Sequence, residues 1–360
     1  MPTTYAIPNG STAMAATLYA GSGATQAISN GSNNPTGVSF APDLVWIRNR
    51  TSASGGMLLD TIAGTSVFLQ TTNANGNASN SGDFVSFNSN GFSVGANGNL
   101  ANQTSNNYVG WNWKAGGTAV TNNDGTITSS VSANTTAGFS VVTWTAPAST
   151  GTHTVGHGLG VAPSMIITKS RSGGTGGLGW AVYFTTLGNS AGLALNTTAN
   201  SFSSSNYWGS SNPTSTVFGL NDAASATGYD NNTGNMVAYC FAAVAGYSAF
   251  GSYTGNNSND GPFVYLGFRP RFVMFKDSST TGAWMIMDTA RNTYNVEQNG
   301  LAPNNVNAES TYSGTPQVDF LSNGFKIRAD NANSYWNNVS GNTYIYAAFA
   351  ENPFKFSNAR

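Results

Sequence analysis

Arg269-Pro270-Arg271-Phe272-Val273-Met274-Phe275-Lys276, followed after a short polar loop by Trp284-Met285-Ile286-Met287-Asp288-Thr289, is the stretch from which the fold is read. It runs from a Pro through apolar residues to a basic residue, turns in a Gly/Ser-rich loop, and returns as a second apolar run. Pro suits the start of a strand, where no ladder N–H is needed. The unbroken apolar run suits a strand buried on both faces, and the pair reads as a hairpin.

The same pattern occurs twice more. Ala41-Pro42-Asp43-Leu44-Val45-Trp46-Ile47-Arg48 precedes Met57-Leu58-Leu59-Asp60-Thr61, and Ala162-Pro163-Ser164-Met165-Ile166-Ile167-Thr168-Lys169 precedes Trp180-Ala181-Val182-Tyr183. The step from Pro42 to Asp60 is 18 residues, as is that from Pro270 to Asp288. A second signature, Val85-Ser-Phe-Asn-Ser-Asn-Gly-Phe92-Ser-Val94, matches Val318-Asp-Phe-Leu-Ser-Asn-Gly-Phe325-Lys-Ile327, with a remnant at Val217-Phe218-Gly219-Leu220. Its Asn-Gly pair predicts a tight hairpin whose turn needs positive φ. A third signature closes each copy with a central-strand run: Tyr108-Val-Gly-Trp-Asn-Trp113, Met236-Val-Ala-Tyr-Cys-Phe241 and Tyr344-Ile-Tyr-Ala-Ala-Phe349.

Internal periodicity of this kind marks a repeat architecture. The expectation is an all-β chain of three tandem, related β-sandwich modules, jelly-roll or lectin-like, over residues 1–117, 118–247 and 248–360. Ala115 to Ala137, nearly all Gly, Thr, Asn and Ser, reads as a linker or an exposed hairpin. The tight second join predicts that modules 2 and 3 pack together and that module 1 stands more independently.

Composition narrows the function. Charged residues are 8% of the chain and the net charge is −1. Without a basic stripe, nucleic-acid binding by phosphate neutralisation is not expected, nor is an electrostatic membrane partner. No run of 18 apolar residues predicts a membrane span, and Met1-Pro2-Thr3-Thr4 does not open a signal peptide. The 43 glycines would suit disorder, but 12% aromatics in compact apolar runs allow real cores. Cys240, the single cysteine, reads as a core residue.

The search for chemistry is mostly negative. Glu297, Glu309 and Glu351 are the only glutamates. Asp288 with Glu297 or Glu309 is a conceivable glycosidase pair, set against the plainer reading of turn and surface residues. Asp60 and Asp288 fit strand-end caps equally well. His153 and His157 resemble a metal-ligand pair but lack further ligands; a histidine hydrogen-bonded in a tight turn is the simpler reading. Gly173 to Gly179 lacks the Lys-Ser/Thr of a phosphate loop. No catalytic residue, metal or cofactor is expected. The candidate ligand-binding residues are Tyr207, Trp208, Tyr335 and Trp336, aromatic pairs set among Asn and Ser, where amphipathic rings serve as sugar platforms or interface anchors.

Val155-Gly-His-Gly-Leu-Gly160 before the Ala-Pro-Ser-Met-Ile-Ile strand, Val237 to Tyr247, Phe320-Leu-Ser-Asn-Gly-Phe-Lys326 and Tyr346-Ala-Ala-Phe-Ala-Glu-Asn-Pro-Phe354 resemble a family of uncharacterised β-sandwich domains in virion structural and tail fibre proteins of marine tailed phages. The resemblance covers modules 2 and 3, with module 1 a diverged copy. It implies a lectin-like sandwich, a location in the virion with release on lysis, and no established catalytic residues. The coiled-coil or collagen-like shaft of a long fibre is missing from the sequence. The expected function is therefore a non-enzymatic virion protein, a tail appendage or fibre component in host adhesion. Its expected partners are other virion proteins, further copies of itself, best matched by a trimer, and a host surface glycan. A capsid decoration or self-assembling tube subunit is the alternative, and a polysaccharide depolymerase ranks below both.

Overall fold

The computed structural model describes residues 5–96, 98–148, 151–172, 179–203, 208–221, 233–311, 317–329 and 337–352. The chain is all-β, and its one helical turn among these residues is the 3-10 segment Gly10–Thr12.

The first third contains β1 (Met14–Ala20), β2 (Gln26–Ser29), β3 (Leu44–Asn49), β4 (Met57–Asp60), the short β5 (Val67–Phe68) and β6 (Ala78–Ser79), β7 (Phe84–Asn88), β8 (Gly91–Val94) and β9 (Asn107–Trp113). The middle third contains β10 (Val120–Asn122), β11 (Ser129–Asn134), β12 (Phe139–Thr145), β13 (Thr152–Gly156), β14 (Met165–Ser172), β15 (Trp180–Phe184), β16 (Ala191–Ala194), β17 (Phe202–Ser203), β18 (Val217–Asn221) and β19 (Asn235–Phe241). The last third contains β20 (Ser248–Thr254), β21 (Phe263–Tyr265), β22 (Arg269–Asp277), β23 (Met285–Asp288), β24 (Asn299–Gly300), β25 (Ser310–Thr311), β26 (Val318–Leu321), β27 (Gly324–Ile327) and β28 (Thr343–Asn352).

One antiparallel strand order recurs: β1-β9-β3-β4, then β12-β19-β14-β15, then β20-β28-β22-β23. Each closing run (β9, β19, β28) is a central strand. Smaller sheets, β2-β8-β7, β13-β18 and β21-β27-β26, cover the outer faces. The middle sheet alone grows to eight strands, adding the β10–β11 hairpin at one edge and β16–β17 at the other.

Side-chain alternation explains why these runs are apolar throughout. In β3, Val45 and Ile47 face outward into a sandwich core with Ile28, Phe84, Phe92 and Val94. Leu44 and Trp46 face the opposite way, into a second core. A strand buried on both faces needs no polar alternation. β14 divides likewise, with Ile166 in the outer core and Met165 and Ile167 in the second.

That second core is common to all three repeats. Trp113, Phe241 and Phe349, the last aromatic of each closing run, form a triangle with ring centroids 6.1, 5.7 and 5.7 Å apart. The repeats therefore surround a pseudo-threefold axis, and along it lies an apolar cavity of about 20 Å³ lined by residues of all three. This corrects the expectation that the first module stands apart: Leu44, Trp46, Trp111 and Trp113 belong to the same core as Phe272 and Phe349. The low-complexity stretch after Ala115 is a hairpin rather than a linker, with β10 largely exposed and β11 largely buried, because the two pair in register and extend the middle sheet.

A second correction concerns Asn-Gly. Residues 88 and 91 pair, as do 321 and 324, so each turn is Ser-Asn and the glycine already opens the return strand. Gly91 is needed for close approach: a Cβ there would lie 2.0 Å from the Ile28 carbonyl oxygen of the neighbouring strand, at φ +149°. Gly324 meets the Val264 carbonyl in the same way.

Candidate functional site

The basic residue that ends each apolar run has one job in three places. Arg48 donates from Nη1 to the Ala302 carbonyl (2.9 Å) and from Nη2 to those of Asn305 (2.9 Å) and Asn307 (3.3 Å). Lys169 Nζ donates to the Ala74 carbonyl at 3.0 Å. Lys276 Nζ donates to the carbonyls of Thr198 (3.3 Å), Asp277 (2.8 Å) and Gly282 (2.9 Å). All three side chains are buried. Each reaches a loop of the preceding repeat, and the first repeat reaches the third. Burial lowers the pKa of Arg48 to about 10 and those of Lys169 and Lys276 to about 8; carbonyl oxygens accept from the buried Nη and Nζ groups, while Arg48 Nε has no partner among the described residues.

Two tryptophans repeat the pattern. Trp180 Nε1 donates to the Gln70 carbonyl and Trp284 Nε1 to that of Ala194, each at 3.0 Å. The matching residue of the first repeat is Gly56, where a Cβ would sit 2.5 Å from Arg48 Cδ. The longer, forked guanidinium fills the room that an indole takes elsewhere, and its several donors replace both the ammonium and the indole N–H.

The repeated aspartates are acceptors at these joints. Asp60 accepts from the Tyr239 hydroxyl (2.9 Å), Arg171 Nη1 (2.8 Å) and the Ala63 amide. Asp288 accepts from Trp111 Nε1 (3.0 Å), Arg291 Nε (2.6 Å) and the amides of Ala290 and Arg291. Burial alone would raise the Asp288 carboxyl; the Arg291 charge, the Trp111 indole and Arg271 hold it below the ordinary range. Glu309 takes Arg50 bidentately at 2.8 and 2.9 Å and Arg291 at 3.1 Å. Asp288 and Glu309 thus share one guanidinium. Asp60 and Asp288 are strand-end caps as well as joint residues, and Asp288 is fully buried, which corrects its reading as a surface residue. In the second repeat the matching residue is Phe184, which packs edge-on to Phe250 of the third, 6.3 Å between centroids.

His157 is also a structural residue. Its Nε2 lies 3.2 Å from the Thr214 carbonyl while Nδ1 accepts from the Leu159 amide, which fixes the Nε2–H tautomer. Burial lowers its pKa. Cys240 is buried on β19, and burial pushes its thiol up. Among the described residues no group of three or more His, Cys, Asp or Glu side chains could hold a metal ion, and no helix is long and apolar enough to cross a membrane.

Of the aromatic platforms read from the sequence, Tyr207, Tyr335 and Trp336 lie outside the described residues. Trp208 is 1% exposed and packs edge-to-face on Tyr183 at 5.7 Å, so it is a core residue rather than a platform. Exposed aromatics occur elsewhere. Phe263 and Tyr265, 46% and 60% exposed, stand on one face of β21 with Val264 turned inward between them. Their counterparts on β2 are Ala27 and Ser29.

A large groove opens to solvent. It has a volume of about 540 Å³ and lies between the first repeat and the extended sheet of the second. Thr121, Ser130 and Thr143 lie directly opposite one another across β10, β11 and β12, so their side chains share a face. Their hydroxyls have no hydrogen-bond partner within the described residues. Beside them Thr145 pairs with Asn235, and the facing wall is Ile62, Ala63, Val67 and Asn77. Arg171, the one charged lining residue, is held by Asp60 and Asn77.

A family described as a domain of unknown function (DUF7483) matches residues 9–353. The chain belongs to the DUF7483 family. The match runs through all three repeats, so the DUF7483 unit is the whole three-repeat assembly rather than one sandwich. No curated protein and no solved structure matches the chain.

Proposed function

We propose that this DUF7483 chain is a non-enzymatic structural protein of a bacteriophage virion, in a tail appendage that contacts the host. The observation that carries this reading is the cyclic set of joints. Ionised groups that an enzyme would present to substrate are here turned inward: Asp60, Asp288, Glu309, Arg48, Lys169 and Lys276 bind one repeat to another. The product is a body with one shared core whose chain carries little charge. Phe263 and Tyr265 fit an adhesion role, since exposed amphipathic aromatics anchor both sugars and protein partners.

Three repeats round one axis suit a threefold-symmetric seat on other virion proteins, reached by one copy or by a homo-oligomer. Immunogold labelling of intact phage particles with antibodies against the purified chain tests the proposal. Label at the tail tip or fibres supports adhesion. Label over the head makes the chain a decoration protein, and particles without label refute a virion location.

A further inference from the structure

The groove between the first two repeats differs in its lining from the cavity of about 440 Å³ where the third repeat meets the first, which is walled by Arg269 and Arg271. In the first and third repeats the four-stranded sheet ends at β1 and at β20; only in the second do β10 and β11 carry it further. That added hairpin supplies Thr121 and Ser130, two of the three aligned hydroxyls. The joints described above are made by other residues; of the hairpin, β11 packs Val131 into the second repeat's own core, while β10 is largely exposed. A departure from internal symmetry that builds a concave surface is a mark of a binding site.

We infer that this groove binds a neutral oligosaccharide, an inference that rests on the adhesion reading above. Three observations select the ligand class. The first is the row of solvent-facing hydroxyls of Thr121, Ser130 and Thr143, spaced as adjacent strands are, roughly 4.8 Å apart. Hydroxyls donate and accept, which suits a ligand that is itself a row of hydroxyls. The second is the opposite wall, where Ile62, Ala63 and Val67 offer small apolar surface for the C–H face of a sugar ring. The third is charge. Arg171 lies 2.8 Å from Asp60, so the groove gives an acidic sugar no free cation and a basic ligand no free carboxylate. Its volume of about 540 Å³ falls within the roughly 300–1,000 Å³ of ordinary ligand sites.

The test uses the full chain on a glycan array of neutral and acidic oligosaccharides, with calorimetric titration of the strongest neutral binder and a parallel adhesion assay on host cells. Three variants are compared. T121V/S130A/T143V removes the hydroxyls while keeping shape, S130R fills the groove, and F263S/Y265S removes the exposed aromatic pair. The expected result is that wild type binds a neutral oligosaccharide, both groove variants weaken binding at least tenfold with unchanged melting temperature, and F263S/Y265S does not. Equal binding by wild type and both groove variants overturns the site and leaves adhesion standing. Loss confined to F263S/Y265S moves the site to β21. Cell adhesion combined with binding of acidic glycans only, or of none, overturns the ligand class. A chain that adheres to no host cell refutes the adhesion reading and this inference with it.

Discussion

Asp288→Asn keeps the shape of the side chain and deletes its charge. In the native joint the carboxylate faces Arg291 at 2.6 Å and the Trp111 indole at 3.0 Å, with both Asp288 and Arg291 buried. Breaking a buried ion pair by neutralising one partner costs about 3–5 kcal/mol. The lower end is a floor: Arg291 keeps Glu309 at 3.1 Å and the amide oxygen still accepts from the indole, but the amide nitrogen is then turned against the N–H groups of Ala290 and Arg291. Unfolding entropy of about 2.1 cal/mol/K per residue gives roughly 0.75 kcal/mol/K for this chain, so a loss of about 3 kcal/mol lowers Tm by about 4 °C. Scanning calorimetry measures this, with exposed Asp124→Asn as a control expected to stay within about 0.5 kcal/mol. The pH dependence follows in sign. The folded carboxyl lies below its unfolded value of 3.8, so its contribution is complete above that value and is lost as pH falls through the folded one. Asp288→Asn therefore flattens the acid limb of the stability curve. A variant as stable as wild type, with the same acid limb, would refute the joint as a source of stability.

Two further outcomes follow from the packing. Because one axial core takes side chains from all three repeats, calorimetry at neutral pH gives a single unfolding transition; separate peaks would mean that the repeats unfold as independent domains. Gly91→Ala places a methyl 2.0 Å from the Ile28 carbonyl oxygen, and the β2–β8 pairing must open to admit it. The expected cost is about 2–3 kcal/mol by urea titration, against less than about 1 kcal/mol for a glycine whose site admits a side chain.

The sequence displayed the strands and their repetition clearly, because a Pro, an unbroken apolar run and a terminal basic residue form a local pattern. It could not display the joints. Arg48 and its acceptors at Ala302 to Asn307 are more than 250 residues apart, and carbonyl acceptors have no residue signature. The shared offset of Asp60 and Asp288 was visible, but their partners Tyr239 and Trp111 looked like ordinary aromatics of a central strand. Trp208 misled because its neighbours are polar, whereas its indole folds beneath them against Tyr183. The hydroxyl row was hidden in the opposite way. Thr121 and Ser130 lie in a stretch of Gly, Thr, Asn and Ser whose composition resembles a linker, and only strand register aligns them with Thr143.

The buried basic side chains that end the apolar runs point in one direction, from each repeat to the one before it and from the first back to the last. A contact of that kind, one surface of a unit against a different surface of the next, is heterologous, and it terminates only by closing on itself. Three units close here, so the series of contacts leaves no repeat with an unused joint surface. Phe184 and Gly56 show that matching positions need not be alike, because each joint is closed by its own set of partners.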